Sequence, residues 1–219
     1  MNIKLLETIK FFFICTSIYG LTDHYKPEML IEVEKKYYFK KFRFLTYIAL
    51  VLTLISLLIT LFGKIVKKIM GKDSKSNFLT KIFYNLAFSI ETGIVLSFWP
   101  LFLIDPKLVL GRKLSTKNYK ISVYGNLCIH LFPFISLFLQ VFIENVTICF
   151  KIELFIVSIF SILLSFWLEF TASKNNGRFP YPLLNYVKRI FIFPIVLTFI
   201  ILSMLVKRLI CEKIYKYKI

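Results

Sequence analysis

The sequence predicts an all-α fold, a six-helix transmembrane bundle, and three observations point there. Hydrophobic residues make up 58% of the 219-residue chain and charged ones only 19%, against about 45–50% and about 25% in soluble domains. The mean hydropathy is +0.72, more apolar surface than a chain of this size can hide from water. The apolar residues also gather into six runs near the length of about 20 that a bilayer crossing requires. A soluble enzyme, a secreted disulfide scaffold and a disordered tail are excluded together.

The first run, about 9–21, is short enough to pass for a signal peptide, but no small-x-small cleavage site follows it, so it reads as a retained helix. The second, about 44–62, has no charge in 19 positions. The third, about 82–104, carries one internal charge, Glu91, which reads as lying near an interface or pairing with a lysine. The fourth, about 121–143, is the outlier, with Gly125, Asn126, His130, Pro133 and Gln140 inside it. The fifth covers about 152–171 and the sixth about 190–206. Lys64 to Lys81 reads as a connection with Gly71, Asp73, Ser74 and Asn77 as turn formers. Lys174 to Arg189 reads as another, with Asn175-Asn176-Gly177 and a Pro180-Tyr181-Pro182 corner. One domain, 1–219, results.

The net charge of +17 rests on 29 Lys and Arg against 12 Asp and Glu. These basic residues lie between apolar runs, where anionic headgroups are the nearer counter-charge, so membrane lipids and not nucleic acid are the expected partners. The stretch Lys35 to Arg43 belongs at that headgroup level, and no obligate protein partner is implied. Basic residues fall 14 on one side and 15 on the other, so the positive-inside rule gives no orientation. Cys15, Cys128, Cys149 and Cys211 form no CxxC pair and read as small buried hydrophobes, neither disulfides nor metal ligands. The Phe11-Phe12-Phe13 run reads as lipid-facing bulk, and no cofactor is signalled.

Lipid cannot solvate polar groups, so an ionisable residue within a span is a functional candidate. His130 is the histidine that falls in a span, since His24 lies in the first loop. A neutral imidazole can take a proton as a general base. Asn126, four residues earlier, shares its helical face and is a candidate to orient the ring or bind substrate. Thr46 begins the second span, whereas His130 is nine residues into the fourth, or about 14 Å. The two meet only if the second helix starts earlier, within Tyr37 to Arg43, or the fourth is tilted or unwound near Gly125. Asp105 and the Tyr181-Pro182 corner fall on the same side of the bundle.

These residues also resemble a known pattern. Phe44-Leu45-Thr46, with Leu50-Val51-Leu52, is similar to the start of the second helix in the androgen-induced, tissue-factor-pathway-inhibitor-regulating family of multipass membrane hydrolases. Phe98-Trp99-Pro100-Leu101-Phe102 with Asp105-Pro106-Lys107-Leu108-Val109, then Asn126-Leu127-Cys128-Ile129-His130 with Pro133-Phe134, then Arg178-Phe179-Pro180-Tyr181-Pro182-Leu183, resemble its later motifs in order. The resemblance implies hydrolysis of fatty acid esters of hydroxy fatty acids, with Thr46 as nucleophile and His130 as base. It also implies both termini in the cytosol, and endoplasmic reticulum or plasma membrane as the location. Asn126, Asp105 and Tyr181 become candidates for binding or orienting substrate. The family's pattern has histidine at Leu127, threonine at Leu131 and Asp-Arg-Glu charges at Asp105-Pro106-Lys107, departures that bear on activity and substrate choice. The competing reading is a non-catalytic multipass protein, such as a small transporter or scaffold. Transport predicts more paired ionisable groups in the spans than Glu91 and His130 supply.

Overall fold

A computed structural model describes residues 3–24, 26, 28–70, 76–105, 122–143 and 148–216. Among these the regular structure is helical throughout. The long elements are α1 (Ile3–Leu21), α2 (Glu28–Lys35), α3 (Leu45–Met70), α4 (Ser76–Ile104), α5 (Val123–His130), α6 (Phe132–Ile143), α7 (Phe150–Lys174) and α8 (Ile192–Lys216). Short 3-10 turns at Lys40–Arg43, Pro182–Tyr186 and Arg189–Phe191 join them.

Among the described residues, four helices are long and apolar enough to cross a membrane, and five crossings result if α5 and α6 form one bent span. The six expected crossings are reached only by adding the shorter apolar helix Thr8–Leu21. Several boundaries differ from expectation. The connection expected over 64–81 is mostly helix, because α3 runs on to Met70 and α4 already starts at Ser76, with Asn77 inside it. Gly71, Asp73 and Ser74 lie outside the described residues. A helix need not end where its apolar run does, and the backbone ladder of α3 runs on to Met70.

The expected fourth span is two helices bent by 46° at Leu131. Pro133 explains the bend: it has no N–H for the carbonyl four residues back, and its ring crowds that carbonyl. The ladder holds on either side, with Leu131 N–H on Leu127 O and Ile135 N–H on Leu131 O, both at 3.0 Å. His130 therefore ends α5, at the bend.

Helix α4 lies at the centre, packed on α3, α5, α6, α7 and α8. Tyr84, Ala87, Phe88 and Ile90 on it are fully buried. One apolar cluster joins α4 to the start of α3, to α7, α8 and the Phe179–Leu184 corner. A second joins α4, α6 and the end of α8 around Tyr84 and Leu137. The third joins α1, α3 and α6; Phe13 is buried in it while Phe11 and Phe12 face outward. Lipid tails give no hydrophobic drive for helix association, so close packing carries these contacts. At the α4–α8 crossing Gly93 permits the approach: a Cβ there would meet the Ser203 hydroxyl and sit 2.8 Å from Phe199 Cζ. Ser203 cannot easily turn away, since its hydroxyl donates to Phe199 O at 2.7 Å. Gly93→Ala is expected to cost about 1–3 kcal/mol by overpacking, read as a lowered Tm in detergent.

Buried polar groups staple the same helices. Lys207 of α8 donates to Asn85 Oδ1 of α4 at 2.7 Å and to Glu153 of α7. Arg208 reaches the other Glu153 oxygen at 3.4 Å. Glu91 pairs with no lysine among the described residues. It is fully buried on α4 and accepts from Thr53 Oγ of α3 at 3.2 Å, with its second oxygen unpartnered among the described residues. Cys128 and Cys211 are buried as expected, but Cys15 and Cys149 are exposed. Burial follows helix rotation, which composition does not report.

Candidate active site

The first backbone N–H groups of a helix have no partner within it. At the start of α3 those of Leu45 and Thr46 find the Tyr181 hydroxyl, with Leu45 N–H at 2.7 Å. The corner that delivers Tyr181 is built by the end of α7. Asn176 and Gly177 take positive φ, 56° and 73°, and Gly177 N–H bonds Ala172 O at 2.8 Å. Such a left-handed cap turns the chain sharply, and glycine adopts it without strain. Pro180 and Pro182 then hold Tyr181 extended. Its ring meets Phe44 edge-on at 5.9 Å.

The Thr46 side chain also hydrogen-bonds Tyr181. Burial pushes the phenol up to about 12, although the Leu45 and Thr46 bonds and the Arg43 charge pull the other way. At neutral pH the Tyr181 oxygen thus accepts the helix-end N–H while its proton stays available to donate. Tyr181→Phe removes that cap and is expected to cost about 1–2 kcal/mol, visible as a lower Tm in detergent.

His130 is held from α4. Its ring stacks on Phe98 with centroids 3.5 Å apart and planes 12° from parallel. Trp99 Nε1 donates to the His130 carbonyl at 3.3 Å. His130 Nδ1 is sealed from solvent and has no hydrogen-bond partner among the described residues. Because α5 starts at Val123, His130 is seven residues in, or about 10 Å, closer to the helix mouth than expected.

The Thr53–Glu91 bond fixes the register of α3 against α4, which run antiparallel across the 71–75 connection. Thr46 is seven residues before Thr53, and Phe98 seven after Glu91. Each is therefore about 10 Å from that bond toward the same end of the bundle and on the same face of its helix. Thr46 shares a depth with the Phe98 ring that carries His130. Leu45, Phe98 and Tyr181 also belong to one apolar cluster.

Asn126 is buried on α5, one turn before His130. Asp105 stands half-buried at the end of α4, its N–H on Leu101 O at 3.0 Å, two turns beyond Phe98. Pro106, Lys107, Leu108 and Val109 lie outside the described residues. A cavity of about 470 Å³ opens in the first loop, and neither Thr46 nor His130 lines it. No group of three or more His, Cys, Asp or Glu among the described residues has the geometry of a metal site. Sequence reasoning missed Phe98, Trp99 and Arg43 as parts of this region. Phe98-Trp99 stood in a quoted motif, but only the register showed what it holds.

The fold defines a multipass, all-helical membrane protein, with the Tyr181 phenol on the start of α3 and the His130 imidazole stacked on Phe98 of α4. The model of the FAR-17a/AIG1-like protein family matches residues 7–216, so the chain belongs to that family, the androgen-induced family that the motifs resemble. No curated protein and no solved structure matches significantly.

Proposed function

We propose that the protein is an intramembrane threonine hydrolase of lipid esters, with Thr46 as nucleophile and His130 as general base. α1 adds a sixth, shorter crossing to a single domain, and the protein resides in the endoplasmic reticulum or plasma membrane. In acylation, His130 takes the Thr46 proton as the threonine oxygen bonds to the ester carbonyl carbon. The carbonyl–alkoxy bond then breaks, and the proton passes to the departing hydroxy acid. Water deprotonated by His130 next attacks the acyl-threonine, releasing the fatty acid and returning the threonine hydroxyl. Tyr181 and Asn126 serve as donors to the developing oxyanion, and Asp105 lies by the entrance.

The observation that carries this reading is His130 Nδ1, a sealed imidazole nitrogen with no partner among the described residues. Buried polar atoms are nearly always paired, and leaving one open costs about 1–3 kcal/mol. A base awaiting a proton accounts for that cost. Membranes holding wild type, Thr46→Ala or His130→Ala are treated with a fluorophosphonate probe. Labelling of the wild type alone is expected; labelling insensitive to both substitutions removes the pair from the chemistry.

The second reading, a non-catalytic multipass protein such as a transporter, gains from the Glu153–Lys207–Arg208 cluster and from Glu91, ionisable groups set in the spans. It predicts no probe labelling of the wild type.

A further inference from the structure

Arg43 departs from the behaviour of a headgroup-level cation. Burial is the largest influence on its guanidinium and works against the charge, while Tyr37, Glu34 and Tyr181 work for it. The guanidinium hydrogen-bonds Tyr37 and lies 3.8 Å from the Tyr37 ring centroid and 4.7 Å from that of Phe44. Glu34, the nearby carboxylate, is already engaged by Lys26 Nζ at 2.6 Å. Arg43 Nε is closed to solvent and has no acceptor among the described residues. A sealed guanidinium N–H without an acceptor is the strongest oxyanion donor a side chain offers.

Its position gives that donor a use. Arg43 closes the 3-10 turn Lys40–Arg43, and Thr46 follows three residues later. Tyr181 hydrogen-bonds Thr46 and feels the Arg43 charge, so cation, phenol and threonine occupy one neighbourhood at the mouth of α3. Phe39, just before the turn, and Lys40, its first residue, both hold positive φ, 64° and 46°. Non-glycine residues adopt this rarely, and such strain gathers at ligand clamps. Trp167 fixes the turn by donating Nε1 to Phe42 O at 3.1 Å, and its ring meets Phe39 at 4.6 Å. The cavity of about 470 Å³ beside it is lined by Tyr37 and by Lys35, Lys40 and Lys41 against Asp23 and Glu34.

We infer that Arg43 binds the free carboxylate of an anionic lipid and makes it the specificity determinant for acid-bearing over neutral ester substrates. This rests on the esterase reading for its catalytic meaning, but the binding step stands without it. A carboxylate seated on Arg43 Nε–H supplies the acceptor that the protein withholds, and it anchors the polar end of the lipid next to Thr46. The acyl chain then runs along the apolar residues around Leu45 and Ile48.

Purified protein in detergent is titrated with a long-chain hydroxy fatty acid, its methyl ester and a lysophosphatidic acid of equal chain length. Wild type, Arg43→Gln and Arg43→Lys are compared. The wild type is expected to bind the acid about tenfold or more tighter than the methyl ester. Arg43→Gln should erase that preference, and Arg43→Lys should restore part of it. Equal weakening toward acid and ester, or a preference indifferent to Arg43, overturns the inference. An Arg43-dependent preference for the phosphate lipid over the acid overturns the choice of carboxylate. Ester hydrolysis is followed in parallel: its absence from the wild type would sink the esterase reading alone, whereas Thr46-dependent hydrolysis with Arg43-independent binding would sink only the present inference.

Discussion

Thr46→Ala is expected to lower lipid-ester hydrolysis by at least about 10³-fold, with the protein still folded. In the proposed mechanism the hydroxyl carries the acyl group, so no neighbouring donor replaces it. The structural cost is small: Leu45 N–H still meets the Tyr181 hydroxyl at 2.7 Å, and one lost hydrogen bond is worth about 1 kcal/mol. His130→Ala should fall by a similar factor, and the double variant no further, because nucleophile and base act as one unit. Steady-state hydrolysis of a fatty acid ester of a hydroxy fatty acid, measured beside Tm in the same detergent, separates chemistry from folding. A Thr46→Ala protein that keeps its rate contradicts the nucleophile assignment.

Lys207→Met should be the most destabilising of these single changes, about 3–5 kcal/mol. The side chains of Lys207 and Glu153 are only 2% and 3% exposed. Without the ammonium, Glu153 keeps only the longer 3.4 Å contact to Arg208, and the Asn85 carbonyl loses its donor at 2.7 Å. Three helices part company at once, because the cluster joins α4, α7 and α8. Converting both members of the pair, as in Lys207→Met with Glu153→Gln, should recover much of the loss, since the uncompensated buried charge is then gone. Thermal unfolding of the single and double variants measures this directly. Equal Tm values for wild type and Lys207→Met would mean that the cluster is not stabilising.

The apolar runs were readable because a bilayer imposes a length and a composition on each crossing. The long helices accordingly fall where the runs fall, as at 152–171 within Phe150–Lys174. The helix ends were less readable. α3 continues past the expected run end at 62 to Met70 and α8 runs past 206 to Lys216, because the hydrogen-bond ladder is indifferent to the solvent around it. The fourth run held Pro133, and the bend there places His130 at the end of α5. The partners of buried groups were not legible at all. That Glu91 meets Thr53, or that Tyr181 caps α3 from 136 residues away, depends on register and rotation between helices, which a one-dimensional pattern does not encode. The family pattern named Thr46 and His130, but it said nothing of the Phe98 ring, which lies at Thr46's depth and carries the imidazole.

Peptide mapping of the protein quenched during turnover of an activated fatty acyl ester addresses the chemistry most directly. Thr46 as nucleophile predicts one acyl mass on the peptide containing it, absent from Thr46→Ala and suppressed in His130→Ala. An acyl group on a different residue, or steady hydrolysis with Thr46 never acylated, would contradict it.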